Sequence, residues 1–210
     1  MLNVSILVVG PVQTNCYIVH NGPGKCVVID PGDEPAKILS KLDSLKVTPE
    51  AILLTHGHFD HIGAVRELQE KFPEVPVYAY TKEELLLKSP ELNESSSMGP
   101  EGIVLEGITY LEDGAELKLV GETWKLIYTP GHTIGSCCYY VESAPVLFSG
   151  DTLFADSCGR TDLATGNMKD MINSIRNVLM KLPDKTMVLP GHGPNTSIGI
   201  ERRQNFIMRM

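Results

Sequence analysis

One seven-residue stretch, Thr55-His56-Gly57-His58-Phe59-Asp60-His61, follows directly on the apolar run Ala51 to Leu54, and holds three of the chain's six histidines. In extended chain the alternation places the His56 and His58 imidazoles on one side, and Asp60 with His61 turns toward a neighbouring position as the backbone enters a helix. Such a segment can serve two metal ions at once. The fold must then bring further ligands to the end of this one strand.

Three other positions share a local signature. His132 closes Thr129-Pro130-Gly131-His132, His192 closes Leu189-Pro190-Gly191-His192, and Asp151 closes Phe148-Ser149-Gly150-Asp151. Each sits at the C-terminal end of an apolar run, and each is preceded by a glycine, the residue that suits a sharp turn and a close backbone approach. The sixth histidine, His20, lacks this context and reads as a solvated hairpin residue.

Five imidazoles and two carboxylates without a thiolate suit Zn, Fe(II) or Mn(II), and such a set leaves room for water, unlike a closed structural site. Two divalent ions, two carboxylates and a bridging hydroxide sum to about +1, a local positive charge that attracts an anionic or carbonyl-bearing substrate. The chain as a whole is acidic, with 18 Lys and Arg against 26 Asp and Glu for a formal charge of -8. That balance disfavours binding a polyanion over a broad surface, so nucleic acid is not an expected partner. No apolar run approaches the ~18 to 20 residues that cross a bilayer, and the start lacks a basic leader and a cleavage site. Five cysteines (Cys16, Cys26, Cys137, Cys138 and Cys158) without a CxxC spacing suggest neither a disulfide framework nor a thiolate knuckle, and point to a reducing cytoplasm.

The pattern around these motifs predicts strands over Val4 to Val9, Cys16 to Val19, Cys26 to Ile29, Ala51 to Leu54 and Val75 to Tyr80. Helices are expected over Pro35 to Lys46, Ile62 to Phe72 and Lys82 to Lys88, with a loop from Ser89 to Gly102. In the second half, strands are expected within Glu116 to Thr129, Ser136 to Glu142, Pro145 to Ser149 and Met187 to Leu189. The apolar stripe Met171 to Leu182 and the segment Ile200 to Met208 read as helices. The 210 residues fit one domain, a layered α/β arrangement with helices outside sheets. An αββα sandwich and a doubly wound sheet both satisfy this pattern.

THGHFDH, followed by Gly-His at 132, Gly-Asp at 151 and Gly-His at 192, resembles the metallo-β-lactamase superfamily in order and approximate spacing. The resemblance implies the four-layer αββα fold with the site at the edge between the two sheets. It implies that His56, His58 and His132 bind a first divalent ion, that Asp60, His61 and His192 bind a second, and that Asp151 bridges both, Zn being the expected metal with Fe or Mn as alternatives.

Within the superfamily, Gly10-Pro-Val-Gln-Thr-Asn-Cys-Tyr, Ile29-Asp30-Pro31-Gly32, Cys158-Gly159-Arg160-Thr161-Asp162 and Pro190-Gly-His-Gly-Pro-Asn-Thr-Ser-Ile-Gly resemble the short bacterial glyoxalase II group. Longer members carry a C-terminal helical extension with glutathione contacts, and this chain ends soon after His192. β-Lactamases of the superfamily usually have an exported precursor and, in the main classes, another residue at the Asp151 position, so antibiotic hydrolysis is not the expected task. The resemblance implies hydrolysis of a small-molecule thioester such as S-lactoylglutathione by a metal-bridging hydroxide. A bound divalent ion lowers the pKa of water from 15.7 to about 7, and a leaving thiolate needs no strong general acid. Asp60 is then a ligand that also orients the hydroxide.

Two more residues are candidates. Asp30, at the end of Val27-Val28-Ile29, is placed to accept a hydrogen bond from a ligand histidine. Arg160 is placed either to meet a substrate carboxylate or to pair with a buried aspartate. Cys158 beside it reads as a small buried thiol. The rival from resemblance is an iron-dependent persulfide dioxygenase with a similar Cys158 to Asp162 stretch, using His56, His132 and Asp151 around one iron. Lactone hydrolysis and a metal-binding module without activity complete the alternatives.

Overall fold

The computed structural model describes residues 2–97 and 102–210. Two six-stranded sheets lie face to face. The first runs in the order β1 (Asn3–Val9), β2 (Thr14–His20), β3 (Gly24–Ile29), β4 (Val47–Leu53), β5 (Val77–Tyr80) and β6 (Ile108–Leu111). The second runs from β12 (Thr196–Ser197) through β11 (Met187–Pro190), β10 (Val146–Gly150), β9 (Cys137–Val141) and β8 (Glu122–Tyr128) to β7 (Glu116–Leu119). Helices cover the outer face of each, so the αββα sandwich is the architecture and the doubly wound sheet is not.

Period-two alternation builds the layers. Tyr17, Val19, Val27, Ile29, Ala51 and Leu53 face Trp124, Leu126, Cys137, Tyr139, Val141 and Phe148 between the sheets. Their neighbours Ile18, Val28, Ile52 and Leu54 turn outward to meet Ile38, Leu42, Ile62 and Leu68 of the helices. In the second sheet, Cys138, Tyr140, Leu147 and Val188 do the same against Met171, Ile175, Leu179 and Ile198. Strands buried on both faces read as unbroken apolar runs, which is why these segments look continuous in the sequence.

The helices depart from expectation where distant chain intervenes. Helix α1 (Pro35–Leu45) starts on its proline and ends at Lys46 in the left-handed region, close to the expected bounds. The single helix expected over 62–72 is two, α2 (Phe59–Ile62) and α3 (Val65–Lys71). The turn at residues 31 and 32 presses on the break: a Cβ on Gly63 would collide with the Gly32 carbonyl, and the Ala64 amide bonds Pro31. Past the strand β5, a 3₁₀ turn (Thr81–Glu83) and α4 (Glu84–Leu87) replace one short helix. The stripe over 171–182 is wound as α5 (Met168–Asn173), a π turn (Ser174–Val178) and a 3₁₀ turn (Leu179–Lys181). The last helix, α6 (Ile198–Gln204), stops at Asn205, whose side chain caps the following turn Phe206–Arg209. Within the expected loop at 89–102, Ser95–Ser97 form a 3₁₀ turn, and residues 98–101 lie outside the described residues. The short strands β6 and β12 were not expected.

Strands β8, β10 and β11 point the same way, because β9 is antiparallel to both β8 and β10 while β11 is parallel to β10. The segments that carry His132, Asp151 and His192 therefore leave the second sheet at one edge. The end of β4 in the first sheet meets them there, since the Cys137 amide bonds the Thr55 carbonyl at 2.9 Å.

Candidate metal centre

All seven expected ligands converge at that edge. His56 and His58 lie on the extended segment after β4, and Asp60 and His61 follow in the one-turn helix α2. Ring atoms of His56, His58 and His132 form one group of donors. Asp60, His61 and His192 form a second, and His56, His61 and Asp151 a third that overlaps both; within each group the ligand atoms lie inside 4.8 Å of one another. Asp151 stands between the two sides, with Oδ1 3.4 Å from His61 Nε2 and Oδ2 3.7 Å from His132 Nε2 and 3.5 Å from His192 Nε2.

The glycines that precede the ligands allow this approach. A Cβ on Gly191 would overlap Asp151 Oδ1 and lie 2.7 Å from His61 Cε1. One on Gly131, at φ +144°, would lie 2.5 Å from the Met171 backbone. Strand β2 then fixes the His192 turn: Asn15 Nδ2 donates to the Pro190 and Gly193 carbonyls at 3.0 Å, and the Tyr17 hydroxyl donates to Pro190 at 2.6 Å.

Two of the rings are held from outside so that their inner nitrogens face the cluster. The outer nitrogen of His132, Nδ1, is 2.8 Å from the Arg160 carbonyl, and Nδ1 of His61 is 3.0 Å from Asp30 Oδ2. Asp30 also accepts the Thr55 amide at 2.8 Å and its hydroxyl at 2.7 Å. The Thr14 hydroxyl donates to Asp60 Oδ2 at 2.8 Å, a contact that sequence reasoning missed although Thr14 stands in the quoted stretch Gly10 to Tyr17.

The donor set fits a pair of cations. His56 Nε2 and Asp151 Oδ1 are buried polar atoms with no hydrogen-bond partner, which costs free energy unless a cation meets them. His58 Nδ1 and His132 Nε2 face each other at 2.8 Å, two rings crowded where an ion would take both lone pairs. Without the ions, His56 and His58 shift opposite to His61 and His192. Burial lowers His56 and takes His58 down to about 3, with the neighbouring imidazoles adding to the effect. Burial acts the same way on His61, but Asp60, Asp151 and Asp30 outweigh it and carry that ring up to about 10. His192 is likewise raised, as Asp60 and Asp151 overcome its burial. Asp60 in turn is held well below the usual carboxylate range: against its own burial act His61, His192 and the Thr14 hydroxyl.

A cavity of about 400 Å³ opens on the cluster, rimmed by Val12, Phe59, Phe154 and Leu163 with Glu94 and Arg160. Arg160 pairs with Asp162 through two hydrogen bonds of 2.7 and 2.9 Å. Both side chains are exposed, at 62% and 69%, so the expected buried aspartate partner is corrected to a surface one. Cys158 is half-buried, and burial pushes its thiol up to about 11, in line with an unreactive thiol. His20 ends β2 with Nδ1 near the Gly22 carbonyl, away from the cluster. A further buried carboxylate, Glu83, was missed; nothing in Thr81-Lys-Glu-Glu sets it apart from a helix start.

An αββα sandwich with a two-sided His and Asp cluster at the mouth between its sheets defines the class. Residues 9–192 match the metallo-beta-lactamase superfamily, and the chain belongs to it. It is 41% identical to a probable metallo-hydrolase, YqgX, of Bacillus subtilis, over 94% of this chain and 93% of that one. It is 33% identical to the hydroxyacylglutathione hydrolase GloC of Haemophilus influenzae, over 97% of each. Among solved structures, the B3 metallo-beta-lactamase BLEG-1 superposes with a TM-score of 0.90 at 41% identity, covering 99% of both chains. TTHA1623 in a di-iron-bound form gives 0.85 at 39% identity, covering 96% of this chain and 98% of that one. The chain is a metallo-hydrolase of this superfamily with a site for divalent metal. No helix among the described residues is long and apolar enough to cross a membrane.

Proposed function

We propose that this chain hydrolyses small-molecule thioesters, S-lactoylglutathione being the representative substrate, at a centre of two divalent ions, most naturally Zn. The observation that carries the reading is the complete second half of the cluster, Asp60, His61 and His192, beside the first triad with Asp151 between them. The likeness to a hydroxyacylglutathione hydrolase over the full length supports the thioester. His56, His58 and His132 would hold one ion, Asp60, His61 and His192 the other, and Asp151 both. When bound, the ions supply a water activated at neutral pH and polarise the carbonyl.

The chain's own residues do the rest. Thr14 fixes the Asp60 carboxylate, so that Asp60 would ligate and would accept a hydrogen bond from the attacking water. Asp30 and the Arg160 carbonyl lock the His61 and His132 rings with their inner nitrogens free. The apolar rim of Val12, Phe59, Phe154 and Leu163 sheds water around the acyl group, and the Arg160 guanidinium at its edge is placed to meet a substrate carboxylate. The thiolate leaves without an acid, since it is stable near neutral pH. The five cysteines are all free, which supports a reducing, cytoplasmic setting.

A second reading, an iron-dependent persulfide dioxygenase, rests on the Cys158 to Asp162 stretch. The test is a substrate panel on protein of known metal content: S-lactoylglutathione, other acyl thioesters, a lactone and a β-lactam for hydrolysis, and glutathione persulfide for oxygen uptake. Thioester turnover without oxygen uptake supports the proposal; oxygen uptake by the iron-loaded protein in its place would overturn it.

A further inference from the structure

Glu83 closes the turn after β5, belongs to none of the ligand triads and is 1% exposed. A carboxylate this deep is normally matched by a cation. Its partners here are neutral donors from two different loops. Oε1 accepts the Gly57 amide at 2.7 Å, Oε2 accepts the Thr133 hydroxyl at 2.9 Å, and the Gly135 amide adds a third bond. Gly57 lies between His56 and His58 on the segment after β4, and Thr133 follows His132 on the segment after β8. Gly135 is pressed so closely on Glu83 that a Cβ there would overlap Oε2 and the backbone nitrogen. Both strand-end loops therefore grip one side chain, and they come from opposite sheets.

We propose that Glu83 is a positioning residue for the first triad: its carboxylate ties the loop carrying His56 and His58 to the loop carrying His132, and so sets the spacing of the three rings. A carboxylate suits this because it offers about four acceptor positions over two oxygens, enough for three donors on separate loops, where an amide offers acceptors on one side only. The second half has its own tether, Asp30, which joins Thr55 to His61. Asp30 reaches the first triad only through the Thr55 hydroxyl, 3.2 Å from His56 Nδ1, whereas Glu83 joins both of its loops directly. The inference rests on the two-ion reading of the cluster and is independent of the substrate.

Chelator competition with Zn separates the two sites when one is disabled. In a His192→Ala background, which keeps the first triad, Glu83→Gln is expected to weaken the remaining ion by about 10 to 100-fold, the range typical of partners that orient metal ligands. In a His58→Ala background, which keeps the second half, the same change should stay within about twofold. Thr133→Val, which removes one arm of the tether, should give a smaller loss confined to the first triad, and it serves if Glu83→Gln unfolds the chain. Equal weakening in both backgrounds, or a lower melting temperature with both affinities intact, would overturn the inference. Wild-type protein that takes up no ion would overturn it together with the two-ion reading, whereas thioester inactivity with two ions bound would leave it standing.

Discussion

Asp30 Oδ2 sits 3.0 Å from His61 Nδ1, and the same carboxylate takes both the amide and the hydroxyl of Thr55. The aspartate reaches this position from φ +49°, a left-handed conformation that Asp and Asn adopt more readily than other side chains. Asp30→Asn therefore keeps the backbone while weakening the hold on His61. The second ion should bind about 10 to 100-fold more weakly, with the first within about twofold. Chelator competition on the two ions checks this.

In the proposed mechanism Asp60 is a ligand with a second task. Asp60→Asn should lower both the occupancy of the second ion and the rate, because the amide replaces a carboxylate that the Thr14 hydroxyl and His192 hold in place. Metal content and turnover are measured on the same sample, and full activity with two bound ions would contradict the role.

Gly191→Ala tests whether the approach of the loops matters. The added methyl has to displace Asp151 Oδ1 and crowd His61. Loss of metal binding with the sandwich intact by circular dichroism is the expected outcome, since the glycine serves the site and packs at its mouth.

The opposed shifts of His58 and His61 give a pH prediction. In the metal-free protein His61 is protonated up to about 10, whereas His58 stays neutral down to about 3. An ion at the second position has to expel the His61 proton, because only a neutral imidazole ligates. Affinity there falls as pH drops below 10, by up to about tenfold per unit for one proton, and His58 adds no such term above pH 3. Calorimetry in buffers of different ionisation enthalpy near pH 7 should find more protons released by the second ion than by the first.

Arg160 works through two separable parts. Its carbonyl holds the His132 ring, and its exposed guanidinium pairs with Asp162 at the rim. Arg160→Ala keeps the carbonyl, so metal content and melting temperature should be unchanged, exposed pairs of this kind contributing little. KM for an anionic thioester should rise while kcat is largely kept, and steady-state kinetics on charged and neutral thioesters checks it.

The seven candidate ligands were legible in the sequence because His56, His58, His132, Asp151 and His192 each stand next to a glycine just past an apolar run, and Asp60 and His61 follow in the same short stretch. The two-sheet core was legible for a similar reason: Tyr17, Ile18 and Val19 alternate faces whatever lies beyond them. What was not legible depends on contacts far along the chain. Gly63 breaks a helix because residues 31 and 32 arrive beside it. Glu83 joins loops around residues 57 and 133 that only the sandwich brings together, and Thr14 reaches Asp60 only because β2 lies beneath the cluster. Of the two partners expected for Arg160, a substrate carboxylate or a buried aspartate, the second is replaced by Asp162, which lies two residues away at the surface.

The central claim is a two-ion centre that hydrolyses a thioester, and a titration of Zn into metal-free protein tests it most directly, with S-lactoylglutathione hydrolysis followed at each addition and His58→Ala beside it. The account predicts turnover that rises to a plateau at two ions per chain and vanishes in the variant. Two ions bound without turnover, or turnover untouched by His58→Ala, would contradict it.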